Sequence, residues 1–270
     1  MFIKVFMLIL TILIICLTIK IIFDKCKKPY LFWYWEGVEK NYIKLCFETV
    51  KKNCSKSFNI IKLNDHNINE WLPGIKKYNK YFNKLLIAQK VDIYRIMLLE
   101  KYGGLYIDAD ILVLRDPFEI IEKLDKYDFV GFGCTGEKCK YGYRFPSNAI
   151  MASRPHTKLM KDIIDEQLND IQTKDTFEYF DLGKYVIWNH IKDDYYHYEN
   201  KYDGTRDKWG NWITNIEIFS DQYIEYDDVD NMIFLEMYNS KATPEIDNMT
   251  QNDLVNGNTN FSKFYKMAMS

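Results

Sequence analysis

The sequence has no excess of either charge and few of the residues that build zinc sites or linkers. Its 270 residues include 36 Lys and Arg against 38 Asp and Glu, a formal net charge of -2. Such a chain lacks the basic excess needed to neutralise a phosphate backbone, which argues against nucleic acid as a partner. It contains only 4 histidines and 6 prolines, and no repeat or low-complexity tract divides it. We therefore expect one globular domain after the N-terminal segment.

The only long apolar run lies at the N-terminus. Residues 5–19 carry no charge, and the run continues past Lys20 to Phe23. About 19 residues at ~1.5 Å each nearly cross a hydrocarbon layer of ~30 Å. The sequence therefore predicts a transmembrane anchor at residues 1–23, a domain at residues 29–270, and a single-pass membrane localisation. A cleaved signal peptide is the alternative, although no small-residue cleavage site follows the run.

The membrane topology stays open at this stage. Lysines are concentrated after the apolar run, which the positive-inside tendency associates with a cytoplasmic domain. The alternative places the domain in a Golgi-like or ER-like lumen. Both orientations therefore remain as alternatives.

Strand and helix patterns alternate after the apolar run, which indicates an α/β fold. The clearest helix spans residues 85–102, because apolar residues recur there at helical spacing and Gly103-Gly104 follows as a stop signal. The other predicted helices are residues 38–52, 157–171 and 182–191, and the predicted strands are residues 30–35, 58–63, 105–114, 129–132 and 148–152.

Two aspartates interrupt the otherwise apolar strand predicted at residues 105–114. Residues two apart project from the same face of a strand, so Asp108 and Asp110 are expected to direct both carboxylates to one point. Two such charges repel unless a cation lies between them. A hard ion such as Mn²⁺ or Mg²⁺ binds carboxylates together with diphosphate oxygens, and it neutralises the charge on a departing nucleoside diphosphate. The pattern therefore predicts a metal site, although Asp-x-Asp triplets also occur in solvated turns.

The segment around these aspartates resembles a known family. Val91-Asp92-Ile93-Tyr94-Arg95, followed by residues 98–110 (LLEKYGGLYIDAD), is similar to the signature of the DXD-containing sugar transferases of glycosyltransferase family 32. This group includes initiating mannosyltransferases and capsular-polysaccharide synthesis proteins. The dense match covers about twenty residues, and FWYWEG at 32–37 and NAIMA at 148–152 resemble its first strand and a later strand.

The resemblance implies a GT-A fold, which is a Rossmann-like α/β sandwich, and a metal-dependent glycosyltransferase. Such an enzyme would move a hexose, usually with retention, from a UDP- or GDP-linked donor to a glycan, lipid or protein acceptor. By position, Asp110 would be the principal metal ligand, with Mn²⁺ or Mg²⁺ as cofactor, and Asp108 would bind the donor sugar or ribose and assist the metal. The remaining donor-binding residues implied by the resemblance are Trp35, Asp92, Arg95, Gly104, Tyr106 and Asn148.

Several of these residues have a structural alternative. Asp92 and Arg95, three positions apart on a helix, could form a surface ion pair worth about 0.2–0.5 kcal/mol. Trp35 could be a core residue, and Gly103-Gly104 could serve only to end the helix. Asn148 would face the site only if its strand lies beside the aspartate strand.

The sequence departs from the family pattern near its C-terminus. Members often supply a further metal or phosphate ligand from a C-terminal His or an Asn/Ser segment, but none of the four histidines lies in the last seventy residues. A catalytically degenerate binding module therefore stays open. A metal-dependent phosphohydrolase that uses the same aspartates is a further alternative, although such an enzyme normally needs a cluster of additional His or Asp ligands that the sequence does not contain. Candidate substitutes for the missing ligand are Glu217, Asp221, Asn211 and Asn215.

Overall fold

A computed structural model describes residues 27–133, 146–191 and 195–270 of the chain. The strands are β1 (Tyr30–Tyr34), β2 (Asn59–Leu63), β3 (Gly104–Ile107), β4 (Ile111–Val113), β5 (Phe129–Gly133), β6 (Ile150–Ser153), β7 (Tyr195–Glu199) and β8 (Phe234–Glu236). The α-helices are α1 (Asn41–Cys54), α2 (Ile68–Trp71), α3 (Asn79–Phe82), α4 (Ile87–Tyr102), α5 (Phe118–Lys123), α6 (Lys158–Thr173), α7 (Lys184–His190), α8 (Asn215–Ile218), α9 (Pro244–Asp247), α10 (Gln251–Asn256) and α11 (Asn260–Met269). Short 3₁₀ helices occupy Ile75–Tyr78, Asn200–Tyr202, Val229–Asn231 and Asn239–Lys241.

A six-stranded mixed sheet with the order β2-β1-β3-β6-β5-β7 forms the centre of the domain. β1 pairs in parallel with both β2 and β3, so the carboxyl ends of these three strands lie at one edge. β6 runs antiparallel to β3, which brings the segment before β6 to that same edge. β4 and β8 form a separate antiparallel pair. Functional groups from distant parts of the chain thus meet at the carboxyl edge, where ligands bind in open α/β sheets.

Buried side chains cover both faces of the sheet. In β1, Leu31 and Trp33 belong to one apolar cluster and Phe32 and Tyr34 to the other, as the alternation of a strand requires. The first cluster contains side chains from α1, α11, β4 and β8, and the second contains side chains from α4 and α6. This arrangement is a three-layer α/β sandwich, and it confirms the predicted fold class.

Most predicted elements are confirmed within one to three residues at each end. The helix predicted at residues 85–102 is α4, and the amide of Gly103 donates to the carbonyl of Leu99 (2.9 Å) at its end. The strand predicted at residues 105–114 is wrong as a single element, because β3 ends at Ile107 and β4 begins at Ile111. The chain turns there because β3 pairs within the main sheet, whereas β4 pairs with β8.

The predicted single-pass membrane localisation is contradicted for the part of the chain that the structure describes. Within residues 27–133, 146–191 and 195–270, no helix has both the length and the apolar character needed to cross a bilayer. The predicted span itself, at residues 5–23, lies outside the described residues.

Gly104 begins β3 where two strands approach each other closely. Its φ is +101°, and a Cβ placed on it would lie 2.2 Å from the carbonyl oxygen of Tyr30. We predict that Gly104→Ala lowers the free energy of unfolding by about 1–2 kcal/mol for the left-handed conformation, plus about 1–3 kcal/mol for the overlap.

Gly74→Ala is the matched control for this measurement. Gly74 also has a positive φ (+86°), but a Cβ there would meet no atom within 4 Å. Urea unfolding of both variants should show the larger loss for Gly104→Ala, and equal losses would contradict the predicted overlap.

His197 on β7 makes the stability of the domain depend on pH. Burial lowers the pKa of His197 from 6.5 to about 4, although a hydrogen bond with the Gly133 backbone raises it in part. Between these two values the His197 imidazole therefore binds more protons in the unfolded chain than in the folded chain. We predict that the contribution of His197 to the free energy of unfolding falls as pH decreases from 6.5 to 4, by less than about 1.4 kcal/mol per pH unit.

Replacing the imidazole should remove this part of the pH dependence. Urea unfolding at several pH values gives the slope of the free energy of unfolding against pH, and between pH 4 and 6.5 this slope should be less positive for His197→Gln than for the native chain. His66→Gln, in an exposed turn, is the control and should keep the native slope. An unchanged slope in His197→Gln would contradict the prediction.

Candidate active site

The two aspartates lie in the turn between β3 and β4, at the carboxyl edge of the sheet. Asp108 still donates its amide to the carbonyl of Ala149 (2.8 Å), just before β6. Asp110 directly precedes β4, and its carbonyl accepts the amide of Met237 (3.2 Å) after β8. Both carboxylates are partly exposed. A turn held by two different pairs of strands therefore replaces the single extended strand that the sequence predicted.

Arg95 on α4 connects the residues that the sequence analysis identified. Its guanidinium lies 3.1 Å and 3.4 Å from the two carboxylate oxygens of Asp108, and 3.3 Å from Oδ1 of Asp92. It also donates to the carbonyl of Asn148 and lies over the ring of Tyr106, 4.7 Å from the centroid. Arg95 is 4% exposed and Asp92 is 6% exposed, so the alternative of a surface ion pair is wrong.

Asp92 and Asn148 form the rest of this buried network. The Asn148 amide donates to Asp92 Oδ1 (2.7 Å), and the pairing of β6 with β3 brings this residue to the aspartate turn. Burial raises the pKa of Asp92 to about 7, against the opposing effect of Arg95. A Cβ on Gly183 would lie 2.5 Å from the Asn148 amide nitrogen, so the segment before α7 passes directly over this pair. No sequence pattern identifies Gly183 as part of the site, because its only distinctive property is the lack of a side chain.

Asp110 has a different environment. Its Oδ2 accepts the backbone amide of Asn239 (2.5 Å), whose side chain in turn accepts the Tyr42 hydroxyl (2.5 Å). Burial and the charge of Asp108 raise the pKa of Asp110 to about 7. The effect of Asp108 indicates that the two carboxylates lie close enough to repel each other.

The residues after β8 include contacts that the sequence analysis missed. Asn215 holds this segment, because its side chain donates to the carbonyl of Tyr238 (2.6 Å) and accepts the Tyr238 amide (2.9 Å). Asn239 follows and donates its amide to Asp110. Of the other C-terminal candidates, Glu217 caps α8 by accepting from Thr214 (2.7 Å). No side-chain motif could have identified Asn239, because its contact with Asp110 is made by the backbone.

A buried carboxyl group lies behind the turn. Glu236 on β8 pairs with Ile111 and is 4% exposed, and its Oε2 has no hydrogen-bond partner among the described residues. Burial raises the pKa of Glu236 well above its usual range, and the charges of Asp203 and Asp110 raise it further. Burial and the neighbouring carboxylates therefore favour the protonated form of Glu236.

Two predicted donor-binding residues lie apart from the Arg95 network. Trp35 follows β1 at the carboxyl edge, packs against the first apolar cluster, and has an indole N–H without a partner among the described residues. Gly104 begins β3, about 13 Å from Asp108 at ~3.3 Å per strand residue.

A cleft of about 220 Å³ lies beyond the ends of β1 and β2 and is lined partly by Asp65 and Tyr94.

The described residues contain no group of three or more His, Cys, Asp or Glu arranged to hold a metal ion. The partly exposed pair Asp108 and Asp110 is compatible with Mn²⁺ or Mg²⁺, which often bind through one or two carboxylates and complete their shell with water and substrate phosphates. Arg95 already engages Asp108 through both oxygens. Asp110 is therefore the carboxylate better able to bind a metal ion.

Comparison with solved structures gives matches to several glycosyltransferases. Glycosyltransferase GlyE of Streptococcus pneumoniae has a TM-score of 0.50 and 13% identity, with 90% of this chain and 61% of that chain covered. The PaToxG glycosyltransferase has a TM-score of 0.44 and 17% identity, with 61% and 67% covered. The bifunctional glycosyltransferase WbbM has a TM-score of 0.43 and 11% identity, with 91% and 52% covered. The likeness to GlyE shows a shared fold, and this chain spans about three fifths of its length.

A comparison with curated proteins finds no match. The family described as capsular polysaccharide synthesis protein matches residues 20–245, which is most of the chain. The match includes α4, the aspartate turn and β8. The chain therefore belongs to the capsular polysaccharide synthesis protein family.

Proposed function

We propose that this chain is a metal-dependent glycosyltransferase that uses a nucleotide-sugar donor. The observation that carries the proposal is the turn after β3, where Asp108 and Asp110 present two partly exposed carboxylates at the carboxyl edge of the sheet. Repulsion between the two carboxylates favours a cation, and a cation there would in turn favour the diphosphate of a donor. Membership of the capsular polysaccharide synthesis family supports a role in building a glycan.

The proposed metal is Mn²⁺ or Mg²⁺, with Asp110 as the principal ligand and Asp108 as the second. Such an ion, when bound, would stabilise the charge on the departing nucleoside diphosphate. The chain's own contribution is to hold the two carboxylates in place. Arg95 fixes Asp108 from the side of α4, and the Asn239 amide fixes Asp110 from the side of β8.

The proposed donor is a UDP- or GDP-linked hexose at the carboxyl edge. Asp92, Arg95 and Asn148 form a rigid, buried base for the donor's sugar and phosphate side. The unpartnered Trp35 indole supports a place for the base beside β1. Retention at the anomeric carbon and a glycan, lipid or protein acceptor are the expectations that the family resemblance adds.

A degenerate binding module is the second candidate function. It is favoured by one observation, namely that Arg95 is fully engaged by Asp92, Asp108 and Asn148 and leaves little capacity for a donor phosphate. Such a module would bind nucleotide sugars without turnover. An enzyme would release the nucleoside diphosphate when metal and donor are both present.

We predict that Asp110→Asn lowers the Mn²⁺-dependent release of UDP or GDP from a nucleotide sugar by about 100-fold or more. Asparagine keeps the shape of aspartate but loses the charge that would hold the metal, and loss of one such electrostatic group typically costs 10²–10³ in kcat. A coupled assay of nucleotide release over a range of Mn²⁺ concentrations makes the measurement.

Asp125→Asn is the matched control, because Asp125 is an exposed aspartate after α5 and makes no side-chain hydrogen bond that the structure records. It should release nucleotide as the native chain does. Native-like, metal-dependent release by Asp110→Asn would refute the metal role. Donor binding without release in the native chain would favour the binding module.

We also predict that Asn215→Ala raises the Mn²⁺ concentration needed for half-maximal release about tenfold, while kcat at saturating Mn²⁺ changes less. The variant frees the Tyr238 backbone, so the Asn239 amide no longer holds Asp110 in a fixed orientation. A tenfold change in the required Mn²⁺ concentration corresponds to about 1.4 kcal/mol of metal-binding free energy. Asn252→Ala, on the exposed face of α10, is the control, and equal metal requirements in both variants would contradict the prediction.

A further inference from the structure

Four aromatic side chains form a row along the segment before α7 and along α7 itself. Tyr179, Phe180 and Tyr185 are 45%, 38% and 41% exposed, and Trp188 is partly exposed. Successive ring centroids lie 4.9, 5.8 and 5.5 Å apart, and each pair meets edge to face. We call these four residues the aromatic row. Contiguous exposed rings of this kind usually mark a binding surface.

Contacts with a neighbouring side chain and with the backbone fix the positions of the rings in the aromatic row. The Lys184 ammonium lies 3.6 Å from the centroid of the Phe180 ring, and 5.6 Å and 5.3 Å from those of Tyr185 and Trp188. The Trp188 indole donates to the carbonyl of Pro146 (2.8 Å). The rings therefore present a fixed surface, which lowers the entropic cost of binding a partner.

The start of the row is fixed against the candidate active site. The Gln89 amide of α4 donates to the carbonyl of Glu178 (3.1 Å). The buried amide of Gln167 on α6 donates both to the carbonyl of Leu182 (2.6 Å) and to that of Asp92 (3.1 Å). Gly183 then abuts the side chain of Asp92. Tyr179 and Phe180 lie between these anchors, so the row begins beside the Asp92 network.

Tyr179 provides the connection to the aspartate turn. Burial raises the pKa of Tyr179, the Ser240 side chain opposes the rise, and the charges of Asp92, Asp108 and Asp110 add to it. Ser240, whose side chain interacts with the Tyr179 hydroxyl, directly follows Asn239, the residue whose amide binds Asp110. The row therefore leads away from the point at which sugar transfer would occur.

A second exposed ring lies near the same turn. Trp212 is 44% exposed and stacks on Tyr238, with centroids 4.8 Å apart and an interplanar angle of 27°. Tyr238 directly precedes Asn239, whose amide binds Asp110. Exposed aromatic surface thus reaches the turn from two separate parts of the chain.

The chemistry of the row fits carbohydrate better than lipid. A pyranose ring offers an apolar C–H face that packs on an aromatic ring, while its hydroxyls need polar partners or water. Two of the four rings carry hydroxyls, and Asp181 and Lys184 lie between them in the sequence. A lipid chain would require a surface without such polar groups.

We propose that the aromatic row binds the sugar rings of a glycan acceptor and directs one end of it toward the Asp108–Asp110 turn. The proposal rests on the proposed transferase function, because it assigns the acceptor of that reaction. It identifies the acceptor class as an oligosaccharide or polysaccharide rather than a lipid or a protein.

The test measures binding of the full chain to a microarray of defined oligosaccharides. The native chain should bind one or more glycans, and Tyr185→Ala and Phe180→Ala should each weaken that binding about tenfold, since each removes one stacking surface. Tyr185→Phe keeps the ring and should bind as the native chain does. Tyr223→Ala removes a tyrosine that is 80% exposed outside the row and should also leave glycan binding unchanged.

Three results would overturn the proposal. They are an absence of binding to every glycan on the array, native affinity in both alanine variants, and row-dependent binding to phosphatidylcholine vesicles instead of glycans. A parallel thermal-shift measurement with UDP- and GDP-sugars and Mn²⁺ separates this proposal from the transferase function. Donor binding without row-dependent glycan binding would defeat only the acceptor proposal. Row-dependent glycan binding without donor binding would defeat the transferase function and leave the row as a glycan-binding surface with no acceptor role.

Discussion

The buried guanidinium of Arg95 is the interaction on which the candidate site depends. A buried cation is tolerated only with anionic partners and satisfied hydrogen bonds, and Arg95 finds them in Asp92, Asp108 and the Asn148 carbonyl. These contacts join α4, the turn after β3 and the start of β6. Removing one partner of a buried ion pair typically costs about 3–5 kcal/mol, so the three elements are held in one arrangement.

The charge around Arg95 explains why the site would favour a cation. Asp92 and Asp108 both contact the Arg95 guanidinium, Asp110 follows two residues after Asp108, and burial raises the pKa of all three carboxyl groups. The chain offsets part of this repulsion through neutral donors, namely the Asn148 amide and the Asn239 backbone. The remaining negative charge is exposed at Asp110, where the proposed metal ion, bound together with a diphosphate, would neutralise it.

Local sequence patterns were enough to predict most helices and strands. Contacts between distant parts of the chain determine the geometry of the site, and these were not predictable from local patterns. Helical spacing in residues 85–102 was enough to predict α4, because an amphipathic helix is a local feature. The break at Asp108 was not predictable in the same way, since it arises from the pairing of β4 with β8 more than 120 residues later. The contact of Asn239 with Asp110 was also missed, because a backbone N–H leaves no residue-type signal. The structure brings together Asp92, Arg95 and Asp108, three of the residues that the family resemblance assigns to donor binding.

The helix α4 connects the Arg95 network with the aromatic row. One face of α4 supplies Asp92 and Arg95, while Gln89, one turn earlier, binds the segment that carries Tyr179. Gln167 on α6 binds that segment and the Asp92 backbone with the same amide. Because the segment has no regular secondary structure of its own, these contacts with α4 and α6 determine where it lies. A shift of α4 that disturbed the aspartates would therefore displace the aromatic row as well, so the two surfaces are coupled by shared contacts.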